Sequence, residues 1–217
     1  MNIYATGRYL LAGMGFVILV LMAGAPASAQ HGSMSEVLLE GGVAEPRGDL
    51  ADSWYSPTGR GFGAETGYEV GFRFRYFATP AVALSPSFHF VDFANFMSVD
   101  NDGYGFEVQT SILRYSMDMQ LFMGTNYAKL RPFFSVGAVL NNNRYRDFTE
   151  FDNSDYKANV YSLGGAAGGG FRAGIFEISV IYNFNRFTTV RLDPDGLKRT
   201  YNWDYLSVMA GFSFPTY

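Results

Sequence analysis

Glu65-Thr66-Gly67-Tyr68-Glu69-Val70-Gly71-Phe72-Arg73-Phe74-Arg75-Tyr76 is the stretch that decides the fold. From Tyr68 on, its even positions are Tyr68, Val70, Phe72, Phe74 and Tyr76, while its odd positions are Glu65, Gly67, Glu69, Gly71, Arg73 and Arg75. Successive side chains of a strand point to opposite faces, so a strand built here has one apolar face and one ionic face. A soluble sandwich also alternates, but its polar face meets water and would be rich in Lys and Thr. Here that face carries Glu, Arg and Gly, and the apolar face has a ring at each end, Tyr68 and Tyr76. At about 3.3 Å per residue the two rings lie about 26 Å apart along the strand. Tilted by about 40°, that is roughly 20 Å of membrane normal, close to the ~25 Å apolar band of an outer-membrane barrel with its aromatic girdles. The apolar face is therefore assigned to lipid and the ionic face to a lumen.

The same split recurs along the chain. Leu113, Tyr115, Met117, Met119 and Leu121 alternate with Arg114, Ser116, Asp118 and Gln120; Phe176, Ile178, Val180, Tyr182 and Phe184 alternate with Glu177, Ser179, Ile181, Asn183 and Asn185. Val82, Leu84, Phe88 and Phe90 against Ser85, Ser87 and His89 make a fourth case. Strands are expected over 34–45, 62–78, 81–93, 105–121, 131–144, 159–172, 175–188 and 200–214, an even number, as a bacterial single-chain barrel requires. Short connectors (Thr79-Pro80, Gly124 to Leu130, Ala173-Gly174) alternate with long ones (Pro46 to Arg60, Asn95 to Tyr104, Tyr145 to Ala158, Thr189 to Arg199). The pattern predicts an all-β chain, an eight-stranded antiparallel up-and-down transmembrane β-barrel over 30–217, with short periplasmic turns, long outer loops and both termini on the periplasmic side. Pro86 predicts a bulge or a displaced start in the third strand. Trp203 and Tyr205, out of phase with the outward set Leu206, Val208, Ala210, Phe212 and Phe214, are expected above the membrane or beyond a bulge.

Composition narrows the class. Of 217 residues, 48% are apolar and only 17% charged, which excludes intrinsic disorder. With no cysteine there is no disulfide, thiolate metal site, cysteine nucleophile or lipidated N-terminal cysteine. A formal charge of -4 gives no electrostatic footprint for nucleic acid. Residues 1–29 read as a cleaved signal peptide: Arg8, an apolar run from Leu10 to Ala23 too short to span a bilayer, and Ala27-Ser28-Ala29 before Gln30.

The strand-turn rhythm, the signal peptide, Gly61-Phe62-Gly63, the run Arg131-Pro132-Phe133-Phe134-Ser135-Val136-Gly137-Ala138 and the ending Ala210-Gly211-Phe212-Ser213-Phe214-Pro215-Thr216-Tyr217 together resemble the small eight-stranded outer-membrane barrels, the OmpA transmembrane-domain, OmpX and opacity-protein superfamily. The resemblance covers essentially everything after residue 29. It implies a bacterial outer-membrane location and insertion by the outer-membrane assembly machinery, which Tyr217 resembles a signal for. It also implies contact with outer-membrane lipid and lipopolysaccharide.

The inward positions supply Glu36, Glu40, Glu65, Glu69, Arg73, Arg75, His89, Arg114, Asp118, Arg172 and Glu177. Eight strands leave an interior just wide enough for side chains, so these groups are expected to pair and plug the lumen. A lipid A-modifying enzyme is the sharper alternative, but the chain has only His31 and His89, and the Ser87–His89 spacing points both residues inward. Asp100-Asn101-Asp102-Gly103 opens like a calcium loop yet has Ser111 where a closing Glu belongs, and Gly164 to Gly170 lacks the Lys-Ser/Thr of a phosphate loop, so no metal or cofactor is expected. Arg144, Arg146, Lys157, Arg191, Lys198 and Arg199 are placed to meet lipopolysaccharide phosphates. Trp54, Tyr55, Phe96, Tyr104, Tyr145, Phe148, Phe151 and Tyr156 give the outer loops rings suited to recognition. The sequence thus points to a monomeric, non-enzymatic barrel acting through its loops in envelope integrity, adhesion or binding of an extracellular or envelope partner. A narrow pore or conduit for small molecules is the alternative.

Overall fold

The computed structural model describes residues 35–52, 61–94, 96–99, 105–124, 129–149, 154–192 and 197–216. The signal segment and the rings Trp54, Tyr55, Tyr104 and Phe151 lie outside them. The described residues form β1 (Ser35–Pro46), a 3-10 turn η1 (Gly48–Leu50), β2 (Glu65–Thr79), β3 (Val82–Ala94), β4 (Phe96–Val99), β5 (Gly105–Phe122), β6 (Arg131–Thr149), β7 (Ser154–Ala173), β8 (Phe176–Phe184), β9 (Arg186–Thr189), β10 (Arg199–Asn202) and β11 (Tyr205–Thr216). Antiparallel neighbours run β3-β2-β1-β11-β8-β7-β6-β5, and β3 also pairs with β5, so eight strands close into a ring. β4 extends the wall along β5, and β9 with β10 forms a separate two-stranded sheet. First and last strands are neighbours, Ser35 opposite Thr216, so both ends of the barrel chain lie at the short-turn end. There the β7–β8 turn reverses through Gly174, whose φ of 62° is open to glycine at little cost.

The sides follow the period-two reading. Leu39, Val70, Phe72, Val136, Val180 and Phe212 stand outward and half exposed, while Arg73, Arg75, His89, Glu69 and Gln120 point inward with no exposure. An apolar outer wall around a charged interior is the inverse of a soluble protein. It fits a barrel set in hydrocarbon, where closure satisfies every backbone group.

Three expectations need correction. Glu65 is exposed, not lumenal. A register shift between Glu65 and Tyr68 on β2 adds a residue against β3 and turns the preceding positions over, so that Phe62 and Ala64 face in instead. Pro86 sits within β3 with no register shift beside it: Arg73–Ser87 and Tyr76–Leu84 share one offset, and the ladder to β2 lapses between them. The stretch expected as a loop from Tyr145 to Ala158 is mostly strand, β6 and β7 staying paired out to Thr149 and Ser154. Above the hydrocarbon the outward set need not be apolar, so the contrast that reveals strands fades while the ladder continues. Trp203 and Tyr205 are fully buried inside the barrel mouth, with Tyr205 on the inward set of β11.

Candidate functional site: a lumen filled in three layers

At the short-turn end Phe122, Phe133 and Ala83 are buried together with Phe77 against them. The guanidinium carbons of Arg75 and Arg131 each lie 5.0 Å from the Phe122 ring centre, so two cations share one aromatic ring. Arg131 also donates from Nη2 to the Pro80 carbonyl at 2.7 Å.

The middle layer is ionic, and register explains its pairs. Glu36 is opposite Arg75, and both lean in from neighbouring strands. Arg75 gathers three side chains: Nε donates to Gln120 at 2.7 Å, Nη1 to Glu36 at 3.3 Å, and Nη2 to both oxygens of Glu177 at 3.0 and 2.8 Å. Arg172, at the rim, holds Glu36 through two bonds of 2.7 Å. Farther along the ladder, Arg73 lies 3.1 Å from Glu40. His89 stands between two carboxylates, Nε2 2.9 Å from Glu40 and Nδ1 2.7 Å from Glu69. Arg73, Arg75, Arg114 and Arg172 thus stand among Glu36, Glu40, Glu69, Asp118 and Glu177, with His89 set between two of the carboxylates. Glu69 is further held by Arg114 at 3.0 Å and by the Ser207 hydroxyl, and Arg114 donates to Asn183 at 2.6 Å. Asp118 accepts from Ser116 at 2.8 Å, and Ser116 meets Ser87 at 2.7 Å. Every inward candidate except Glu65 therefore lines or borders this network. Gln120, Asn183 and Ser207 belong to it as well. They share the inward parity, but being neutral they gave no charge signal.

The outer layer is apolar. Leu50, Phe62, Val91, Phe93, Tyr145, Phe187, Tyr201, Trp203 and Tyr205 form one buried cluster. Phe62 is ringed edge-on by Tyr145 at 5.4 Å, Tyr201 at 5.6 Å and Trp203 at 5.0 Å. Tyr145 is thus a core residue, not a surface ring, because it has the inward parity of β6. Of the other surface candidates, Tyr156 is exposed and its hydroxyl donates to the Arg191 carbonyl, Phe148 is half-buried, and Phe96 lies in β4. Arg144 and Lys157 stand exposed on neighbouring strands at this end. No group of three or more His, Asp or Glu side chains suited to a metal ion occurs among the described residues.

No family model and no curated protein matches the chain. Solved structures do. The Neisserial surface protein A is 13% identical, covers 86% of this chain and 100% of its own, and superposes with a TM-score of 0.50. A major outer membrane protein from Thermus thermophilus is 11% identical over 83% of this chain and 99% of its own, with a TM-score of 0.51. The chain has the fold of the small eight-stranded outer-membrane barrels. The N-terminal barrel domain of Pseudomonas aeruginosa OprF, 17% identical, covers 85% of this chain and 100% of its own at a TM-score of 0.45. At these identities the likeness concerns architecture, and the barrel's task has to be argued from its own side chains.

Proposed function

We propose that this barrel is a monomeric, non-enzymatic protein of the bacterial outer membrane that acts at the cell surface. Its long-loop end engages an extracellular or envelope partner in adhesion, surface recognition or envelope integrity. One observation carries the reading: among the described residues the lumen holds paired ionic side chains capped by an aromatic cluster, so the surface left for function is the outer one. Arg144 and Lys157 at that end suit phosphates of lipopolysaccharide, and delivery to the membrane would use the outer-membrane assembly machinery. A narrow pore for polar solutes fits less well, because Arg73, Arg75 and Arg114 occupy its path with no exposure to spare. Lipid A hydrolysis fits poorly too: His89 is engaged by Glu40 and Glu69, and Ser87 by Ser116. The test is a binding screen on cells displaying the barrel, with each long loop exchanged for a short Gly-Ser linker in turn. Loss of binding on exchange of one loop, with the barrel still heat-modifiable on gels, supports the reading. Binding that survives all four exchanges refutes it.

A further inference from the structure

Among the described residues, the wall of the barrel has a juncture held by side chains in place of a backbone ladder. β7 pairs with β8 only as far as Gly165 opposite Phe184. From Gly164 out to Ser154, β7 keeps β6 alone as its ladder partner, while β9, next in the wall, pairs with β10. Closed barrels abolish edges, and this one reopens an edge over its outer third. What bridges the gap is a set of side-chain bonds. Ser162 donates to Asn185 at 2.6 Å, Asn185 to Asn143 at 2.6 Å and Asn143 back to Ser162 at 2.9 Å. Farther out, Arg191 donates to the Asn159 carbonyl at 3.1 Å and Tyr156 to the Arg191 carbonyl. Directly behind the juncture lies the aromatic cluster. Ala158 and Val160 on β7 and Phe187, Leu192 and Tyr201 on the β9–β10 side all lean on it. At its centre the indole Nε1 of Trp203 is buried without a hydrogen-bond partner among the described residues.

We propose that the β9–β10 hairpin is a hinged flap, and that its parting from β7 admits a small aromatic molecule bearing a hydrogen-bond acceptor from the lipid boundary into the Phe62–Trp203 cluster. Residue positions fix the way in. Tyr161 and Leu163 on β7 and Phe184 on β8 stand exposed on the outer wall beside the juncture, so its mouth is framed by apolar groups facing lipid. The guest would meet rings on several sides and an indole N–H otherwise left unsatisfied, which is a reason for binding there over bulk lipid. Side-chain bonds of this kind open at lower free energy than a continuous ladder, as lids and flaps require. The inference goes beyond surface recognition and does not depend on it.

The chain has no cysteine and two tryptophans, which makes the test direct. In the Trp54→Phe protein, reconstituted in lipid vesicles, Trp203 is the single tryptophan, excited at 295 nm apart from the tyrosines. Adding Ser162→Cys and Asn185→Cys allows the juncture to be locked by oxidation and freed by reduction in the same molecule. With 4-bromoacetophenone as probe, reduced protein should show quenching of Trp203 and oxidised protein at least fivefold less, while aqueous acrylamide quenches neither. Equal quenching in both states, or none in either, would overturn the flap; acrylamide quenching released by reduction would overturn the lipid-side entry. Bromobenzene, lacking the acceptor, should quench more weakly, and parity between the two probes would overturn the part given to Trp203. Hydrogen exchange on the protein without added cysteines gives an independent reading. Amides of β9 and β10 should exchange at least tenfold faster than those of the laddered strands next to them, Val43 on β1 and Val208 on β11, and uniform protection would sink the proposal.

Discussion

Arg75 on β2 and Glu177 on β8 meet across the lumen, the Nη2 of the one donating to both carboxylate oxygens of the other at 3.0 and 2.8 Å. Two strands, β1 and β11, stand between them in the wall, so this pair ties together separated parts of the ring. Neither side chain has appreciable exposure. Truncating Arg75 leaves Glu177 and Glu36 buried without their shared cation. Arg75→Ala is therefore expected to cost about 3 to 5 kcal/mol. Arg75→Ala combined with Glu177→Gln should recover part of that loss. Urea unfolding of the barrel in lipid vesicles, followed by tryptophan emission, measures both.

Phe72 and Arg73 test the orientation of the wall. Phe72 is half exposed on the outer face beside Phe88, and Arg73 is wholly buried against Glu40. Phe72→Arg should cost about 2 to 4 kcal/mol at mid-membrane depth. A fluorophore on Phe72→Cys should be quenched by brominated lipid, whereas Arg73→Cys should resist labelling by a membrane-partitioning maleimide. Labelling at 73 and protection at 72 would invert the register.

How much of this was legible follows from what each signal depends on. The alternation in 68–76 shows which residues face lipid because hydrocarbon demands an unbroken apolar set there. Where that demand lapses, reading lapses too: Tyr145 and Ala158 sit in a loop-like polar stretch, yet the ladder carries them inward. The bulge that turns Glu65 outward has no local mark, since Thr66 and Gly67 suit a regular strand as well as an irregular one. Charged lumenal residues were visible because a charge on a barrel strand has only one tolerable side. Gln120, Asn183 and Ser207 keep the same parity but are unremarkable in composition, and the aromatic cap needed Phe62 and Trp203, far apart in sequence, to be brought together.

The glycines of β7 separate backbone crowding from open wall. A Cβ placed on Gly168 would meet the Ile181 Cα at 2.7 Å, within the neighbouring strand's backbone; on Gly165 its nearest neighbour would be the Gly137 carbonyl at 3.6 Å. Backbone cannot step aside as a flexible side chain can, so Gly168→Ala should force β7 from β8 and lower stability by about 1 to 3 kcal/mol. Gly165→Ala should be neutral within about 0.5 kcal/mol. Heat-modifiability on gels and urea midpoints compare the two on one strand, and equal effects would show that the β7–β8 approach is looser than described.

Conductance tests the filled lumen as a whole. Arg73 and Arg114 cross the middle of the barrel with 0% and 1% exposure, and the Phe62 cluster closes the outer end. An eight-stranded ring leaves an interior just wide enough for such side chains to fill. Planar-bilayer recordings of the intact barrel should therefore show no large, stable channel. Truncating the cap alone, with Phe62→Ala, should leave that silence unbroken, because the ionic layer still fills the path. Truncating the ionic layer with Arg73→Ala and Arg75→Ala in one chain should leave it likewise closed at the aromatic cap if the protein inserts. Only the triple variant removes both barriers, and only there should short, low-conductance openings occur. Porin-like steps from the unaltered barrel would mean that the two layers part spontaneously, and transport would then displace surface recognition as the better account.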